Sequence, residues 1–187
     1  MSKDAYEDLD FTSAEAPTAA PDAEAIANAK HEARTGSPQL AKSGFYVAMA
    51  RNAAGRIPPR GGERHCILVV EDDQALANLV SEVLATAGMM TRFAHNRVEI
   101  NSEFNQKILP DLVLLDVSLP DADGFNILER IRGHPKIAKL PVIMMTGKSE
   151  VTDVARGLSL GADGYVTKPF KISALVAAVQ TVLGLPT

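Results

Sequence analysis

The sequence predicts an α/β fold, a five-stranded parallel sheet doubly wound with helices on both faces, preceded by a largely disordered N-terminal segment. Three observations predict it. Strand-length apolar runs rich in branched residues recur through residues 65–187, as suits strands covered on both faces. Their starts, at 67, 91, 112, 142 and 165, lie 24, 21, 30 and 23 residues apart, so each gap holds one crossover helix. Between them run apolar stripes at helical spacing. Right-handed crossovers then leave few topologies.

Residues 1–64 come first and are rich in Ala, Pro, Gly and polar residues. They hold few large apolar side chains to offset the entropy of ordering, and the segment reads as mostly disordered. Two stretches within it, Asp22–Arg34 and Gln39–Arg51, have weak helical character. The run Arg56-Ile57-Pro58-Pro59-Arg60-Gly61-Gly62 reads as a linker, its prolines breaking helix and its glycines adding freedom. Residues 65–187 then form the folded domain.

The first strand is Ile67–Val70, and the helix after it is carried by Leu76, Leu79, Val80, Val83, Leu84 and Ala87, with Gly88 as its stop. A weaker strand, Thr91–Ala94, precedes the stripe Ile100, Phe104, Ile108, ended by Pro110. Leu112–Leu115 leads to the stripe Phe125, Leu128, Ile131, ended by Gly133 and Pro135. Val142–Met145 precedes Val151, Val154, Ala155 and Leu158, with Ser149 as N-cap and Gly161 at the end. Tyr165–Thr167 precedes a last helix built on Ile172, Leu175, Val176, Val179, Val182 and Leu183.

Composition removes several classes of function. The 187 residues carry 19 Lys and Arg against 23 Asp and Glu, a net charge of −4, unlike a nucleic-acid binder held by bulk charge. Bases concentrate in residues 17–64, with seven against four acids, so that segment is positive while both flanks are negative. A single cysteine, Cys66, excludes a disulfide framework and a cysteine-ligated zinc site. No apolar run approaches the roughly 18 residues of a membrane helix, and the acidic start MSKDAYEDLD lacks the form of a signal peptide. A cytoplasmic protein with no membrane association is expected.

In parallel α/β sheets ligands bind beyond the carboxyl ends of the strands. Glu71, Asp72 and Asp73 follow the first strand, Asp116 the third, Thr146 and Gly147 the fourth, and Lys168 and Pro169 the fifth. Three carboxylates, a hydroxyl and an ammonium therefore converge. Glu71, Asp72 and Asp116 repel one another unless a cation joins them, and hard oxygen donors without His or Cys favour Mg²⁺ over zinc. A carboxylate can also act as a nucleophile and form an aspartyl phosphate, whose oxygens the Thr146 hydroxyl and Lys168 would then partner.

The runs Ile67-Leu68-Val69-Val70-Glu71-Asp72-Asp73, Asp111–Asp116 through Pro120-Asp121-Ala122-Asp123-Gly124, Pro141–Gly147 and Gly161–Phe170 resemble the receiver domain of two-component response regulators, in particular stand-alone members similar to chemotaxis regulators. The resemblance spans residues 65–187 and implies a flavodoxin-like sheet of strand order 2-1-3-4-5. It implies that Asp116 accepts a phosphoryl group from a sensor histidine kinase or a histidine phosphotransfer protein. It further implies that Asp72 binds Mg²⁺ directly, with Glu71 and the Ser118 backbone carbonyl assisting. Thr146 and Tyr165 would be the switch pair, the ring turning inward on phosphorylation and changing partner binding on the face of the fourth helix, fifth strand and fifth helix. Ser118 and Lys148 stand where family members tune dephosphorylation. A cis bond before Pro169 would aim Lys168 inward. The sequence departs from the family at His95-Asn96-Arg97-Val98, in place of a small Gly turn, and at Lys171, in place of an acidic N-cap.

The expected protein is thus a phosphoprotein of a two-component or phosphorelay system and not an enzyme. An aspartyl-phosphate phosphatase is disfavoured because Ser118 occupies the place of that chemistry's second Asp. No output domain is expected after the fifth helix, hence no direct DNA binding, and a phosphorylation-dependent dimer is left open. The alternative is an interaction scaffold whose output is carried by residues 1–64.

Overall fold

The structure, a computed structural model, describes residues 10–11, 23–48, 55–147 and 151–187. Its elements run α1 (Ala23–Ser43), β1 (Phe45–Val47), β2 (Cys66–Val70), α2 (Gln74–Thr86), β3 (Met90–Ala94), α3 (Arg97–Phe104), β4 (Leu112–Asp116), α4 (Gly124–Gly133), β5 (Val142–Thr146), α5 (Val151–Ser159), β6 (Gly164–Thr167) and α6 (Ile172–Leu183). All five expected strands are present, and they are parallel in the order β3-β2-β4-β5-β6, which is the expected winding. The sheet has six strands, however, not five: β1 joins the free edge of β6, antiparallel, pairing Phe45 with Val166 and Tyr46 with Tyr165.

The core divides by strand parity. Leu68, Val70, Val113, Leu115, Val142 and Met144 face α3, α4 and α5, whereas Ile67, Val69, Leu112, Leu114, Ile143 and Met145 face α2 and α6. Both faces are covered, which is why β2, β4 and β5 read as continuous apolar runs. The helical stripes hold with three exceptions. Leu79 and Ile172 are exposed on their helices, and Ile108 lies beyond α3, which ends at Phe104.

Part of the N-terminal segment that composition reads as mostly disordered is built into the fold; residues 1–9, 12–22 and 49–54 lie outside the described residues. Over residues 23–47 it forms one long helix and the sixth strand. The first weakly helical stretch lies in α1, which continues through Pro38 into the start of the second; the rest of Gln39–Arg51 is not helix, since Phe45–Val47 is β1 and residues 49–51 lie outside the described residues. Gly36 explains why the apparent break does not hold. It is buried where a Cβ would sit 2.9 Å from the Tyr46 ring, so its absence lets helix and strand close on each other. Ala29, Ala33, Leu40 and Tyr46 join the core on the α5 side, along which α1 packs. The Tyr46 hydroxyl donates to Glu32 Oε1 at 2.8 Å. Burial and the Glu32 carboxylate both push its pKa up. Phe11 is also buried, stacked on Phe104 with ring centroids 5.0 Å apart.

The linker is likewise tied down. The Ile57 amide donates to the Leu183 carbonyl at 2.9 Å. Asp111, fully buried, accepts the Arg60 amide on Oδ1 and the Cys66 amide on Oδ2, both at 2.8 Å. One carboxylate thus fixes the linker to the start of β2. Asp111→Ala leaves both amides without that acceptor and is expected to cost about 1–3 kcal/mol, read as a lower urea midpoint at unchanged m. A loss under a few tenths of a kcal/mol would show that water replaces the carboxylate. Among the described residues, no helix is long and apolar enough to cross a membrane.

Candidate functional site

The carboxyl ends of β2, β4, β5 and β6 meet at one edge of the sheet, as their register requires. Asp116, 5% exposed, is the last residue of β4. Its Oδ2 accepts Lys168 Nζ at 2.7 Å and its Oδ1 accepts the Ser118 amide at 3.1 Å. Lys168 also reaches Glu71 Oε2 at 2.5 Å, so one ammonium bridges two carboxylates. Lys168 is held there from its backbone, its amide donating to the Thr146 carbonyl at 2.7 Å, and the Lys168–Pro169 bond is cis as expected.

The charges respond to this crowding. Burial raises the Glu71 pKa; the Lys168 ammonium opposes that without cancelling it, and the Asp116 charge adds to the rise. Burial alone would lower the Lys168 pKa, but its hydrogen bonds and charge pairing with Asp116 and Glu71 reverse this and raise it. The lysine is therefore a fixed cation at neutral pH.

Glu71, Asp72 and Asp116 each offer an oxygen within 4.8 Å of the others. Two are buried and Asp72 is exposed. That donor set fits a small hard cation that keeps part of its water shell on the open side. The third acid of the run, Asp73, is occupied elsewhere as the N-cap of α2, accepting the Ala75 and Leu76 amides at 2.9 and 3.1 Å.

Thr146 ends β5, buried, and lines a cleft of about 620 Å³ together with Val117, Ser118, Phe125, Asp153 and Arg156. Gly124 closes the floor beneath Asp116. A Cβ there would stand 2.2 Å from the Asp116 carbonyl oxygen, so α4 can start this close only from glycine. Tyr165 is fully buried, its ring turned inward beneath α5. Its phenol lies over Gly157, where a Cβ would be 1.5 Å from the oxygen. Burial pushes the phenol pKa up. Gly157→Ala is expected to expel the ring at a cost of about 1–3 kcal/mol. The change reads as increased quenching of tyrosine fluorescence, clear in a chain with three Tyr and no Trp. Unchanged quenching would mean that α5 shifts instead.

Of the candidates named from the sequence, Glu71, Asp72, Asp116, Ser118, Thr146 and Lys168 lie at this edge and Tyr165 lies beneath α5. Lys148 and Ser149 fall outside the described residues. Sequence reasoning missed three neighbours. His95 Nδ1 lies 2.7 Å from the Glu71 carbonyl, and Arg156 pairs with Asp123 at 3.3 Å while covering the Phe125 ring at 4.3 Å. The third, Gly157, carries a signal: an isolated glycine within a helical stripe costs stability unless something must fit against it. The His95–Val98 departure is resolved by Asn96, which caps α3 by accepting the Glu99 amide while Glu99 accepts the His95 amide, a reciprocal capping arrangement. Lys171 precedes α6 without a side-chain cap, as expected from its type.

The pattern of the response regulator receiver domain matches residues 67–180. The chain belongs to that family. The receiver is 36% identical over 117 residues to the DNA-binding dual master transcriptional regulator RpaA of Synechocystis, covering 63% of this chain and 48% of that protein. It is 40% identical over 119 residues to the phosphate regulon transcriptional regulatory protein PhoB of Rhizobium meliloti, covering 63% and 51%. Among solved structures it resembles the chemotaxis protein CheY4 of Vibrio cholerae, with TM-score 0.59 at 26% identity, covering 64% of this chain and 99% of that one. It also resembles the response regulator DrrB of Thermotoga maritima, with TM-score 0.57 at 32% identity, covering 64% and 52%. The matches to the curated relatives span about half of those proteins' length. These relatives overturn one expectation. The expectation of no direct DNA binding rested on the net charge of the 187 residues and on the lack of an output domain after the fifth helix, yet a regulator named as DNA-binding shares this receiver. The absence of direct DNA binding therefore does not follow from the sequence. The receiver places the chain in two-component signalling.

Proposed function

We propose that residues 65–187 form a phospho-accepting receiver whose acceptor is Asp116. The observation that carries this is the Asp116–Lys168–Glu71 cluster: a buried carboxylate, fixed by an ammonium at 2.7 Å and an amide at 3.1 Å, next in sequence to Val117 and Ser118, which line a cleft together with Thr146. A nucleophile needs orientation more than flexibility, and both Asp116 oxygens are oriented. The donor is a phosphohistidine of a sensor kinase or phosphotransfer protein. An Asp116 oxygen attacks phosphorus, the O–P bond forms, the N–P bond breaks, and the imidazole leaves with the electron pair. Asp72 and Asp116, assisted by Glu71 and the Ser118 carbonyl, would hold Mg²⁺, whose charge offsets that of the phosphoryl oxygens. Lys168 and the Thr146 hydroxyl bind the remaining oxygens. Tyr165 reports the event to the surface made by α5, β6 and α6.

Acetyl phosphate with Mg²⁺ is expected to add one phosphoryl group, seen by intact mass, and EDTA to prevent it. Labelling that is indifferent to EDTA would argue against the metal, and none under either condition against the acceptor. A second reading, in which the N-terminal segment carries the output, is favoured by one observation: α1 and β1 lie on α5 and β6, the elements expected to respond.

A further inference from the structure

The face of α5, β6 and α6 is not open in this chain. β1 takes the edge of β6, α1 lies along α5, and β1 also touches α6. One of these contacts, the turn between α1 and β1, adjoins Lys168 along the chain. Gly44, at φ +84°, presents its carbonyl to Thr167, whose amide donates at 3.1 Å and whose hydroxyl donates at 3.4 Å. The next residue is Lys168, whose own amide is held by Thr146 and whose ammonium is held by Asp116 and Glu71. One residue therefore separates the docked segment from the ammonium on the acceptor. Tyr165, paired with Tyr46 across the strands, is buried inward in this same arrangement.

We propose that docking of residues 23–48 on the receiver and phosphoryl binding at Asp116 are positively coupled through Thr167 and Lys168. The docked turn fixes the end of β6 and so holds Lys168 aimed at the acceptor, a position that the incoming phosphoryl group also requires. Pre-organisation of this kind strengthens binding without adding a contact to the ligand. The coupling is reciprocal by linkage: the occupied acceptor holds the segment down as firmly as the segment favours occupation. The inference rests on the reading of Asp116 as acceptor. It makes the first responder of the phosphorylated receiver a segment of its own chain.

The test uses the full chain and beryllofluoride with Mg²⁺ as the phosphoryl mimic. Leu40→Asp places a charge at a fully buried position of α1, and Gly36→Ala presses on the Tyr46 ring without a charge; neither residue touches the acid cluster. Leu40→Met is the conservative control. By calorimetric titration both undocking variants are expected to bind beryllofluoride at least about 5-fold more weakly than wild type, the lower end of ordinary coupling, with Leu40→Met unchanged. In wild type, beryllofluoride is expected to slow amide exchange across residues 23–48. Affinities within twofold together with unchanged exchange overturn the coupling and leave the acceptor assignment standing. Tighter binding by the undocked variants overturns its sign and hence the proposal. A wild type that does not bind beryllofluoride removes the acceptor assignment, and the coupling with it.

Discussion

Asp116→Asn is expected to take no phosphoryl group from acetyl phosphate and to bind no beryllofluoride, while keeping the fold. Asparagine matches the carboxylate in shape, so the Ser118 amide keeps an acceptor and the floor at Gly124 is undisturbed. What changes is chemistry. The amide oxygen is a poor nucleophile, and one of the three oxygens grouped for a cation loses its charge. The electrostatic consequences oppose one another, for Lys168 loses its 2.7 Å ion pair with Asp116. Lys168 keeps its 2.5 Å pair with Glu71, and Glu71 is relieved of the neighbouring negative charge that helps raise its pKa. The melting temperature is accordingly expected to stay within a few degrees of wild type, so loss of labelling separates from loss of structure. A phosphorylated Asp116→Asn protein would place the acceptor elsewhere.

The second large effect concerns stability. Arg132→Ala is expected to cost about 3–5 kcal/mol. The guanidinium is mostly buried and donates to four oxygens: Gly161 at 2.8 Å, Ala138 at 3.1 Å, Leu140 at 2.7 Å and Asp163 Oδ2 at 2.7 Å. Asp163 Oδ2 also accepts the Val142 amide at 2.8 Å, so the pair ties α4 and the loop before β5 to the turn before β6. Truncation strands a buried carboxylate and three carbonyls at once, and the melting temperature is expected to fall by roughly 10 °C or more. Arg132→Lys is expected to recover little, because a single ammonium cannot span the fork. A measured loss below 1 kcal/mol would mean that water enters and replaces all four bonds.

Much of this molecule is legible in the sequence, for identifiable reasons. Asp116, Thr146 and Lys168 could be placed together because continuous strands such as Leu112–Leu115 and Val142–Met145 fix where each chain segment leaves the sheet. Stripe arithmetic was less exact. Leu79 and Ile172 have the spacing of a buried face but sit at its rim, and spacing does not give the width of the contact. The histidines carry no such signal: His65 and His134 are buried, and His95 contacts the carbonyl of Glu71, 24 residues away in sequence. The largest miss is β1 and the packing of α1 on the receiver, since the sequence reads only weak helical character there. Taken alone, Ala29, Ala33, Leu40 and Tyr46 cannot make a core, and Gly36 and Pro38 look like breaks. The segment is ordered on a surface that another part of the chain provides, and local composition carries no trace of it.

The pairing of β1 with β6 has a consequence for the behaviour of the chain in concentrated solution. An unpaired strand offers its amides and carbonyls to any passing chain and is a starting point for intermolecular sheet growth. Here the edge beside Tyr165 is closed by three residues of the same polypeptide. Among the described residues no strand pairs with the opposite edge, β3, which is marked by Arg92 at its centre, paired with Glu103 at 2.9 Å. Each border of the sheet therefore has its own safeguard against aggregation, one by occupancy and the other by charge.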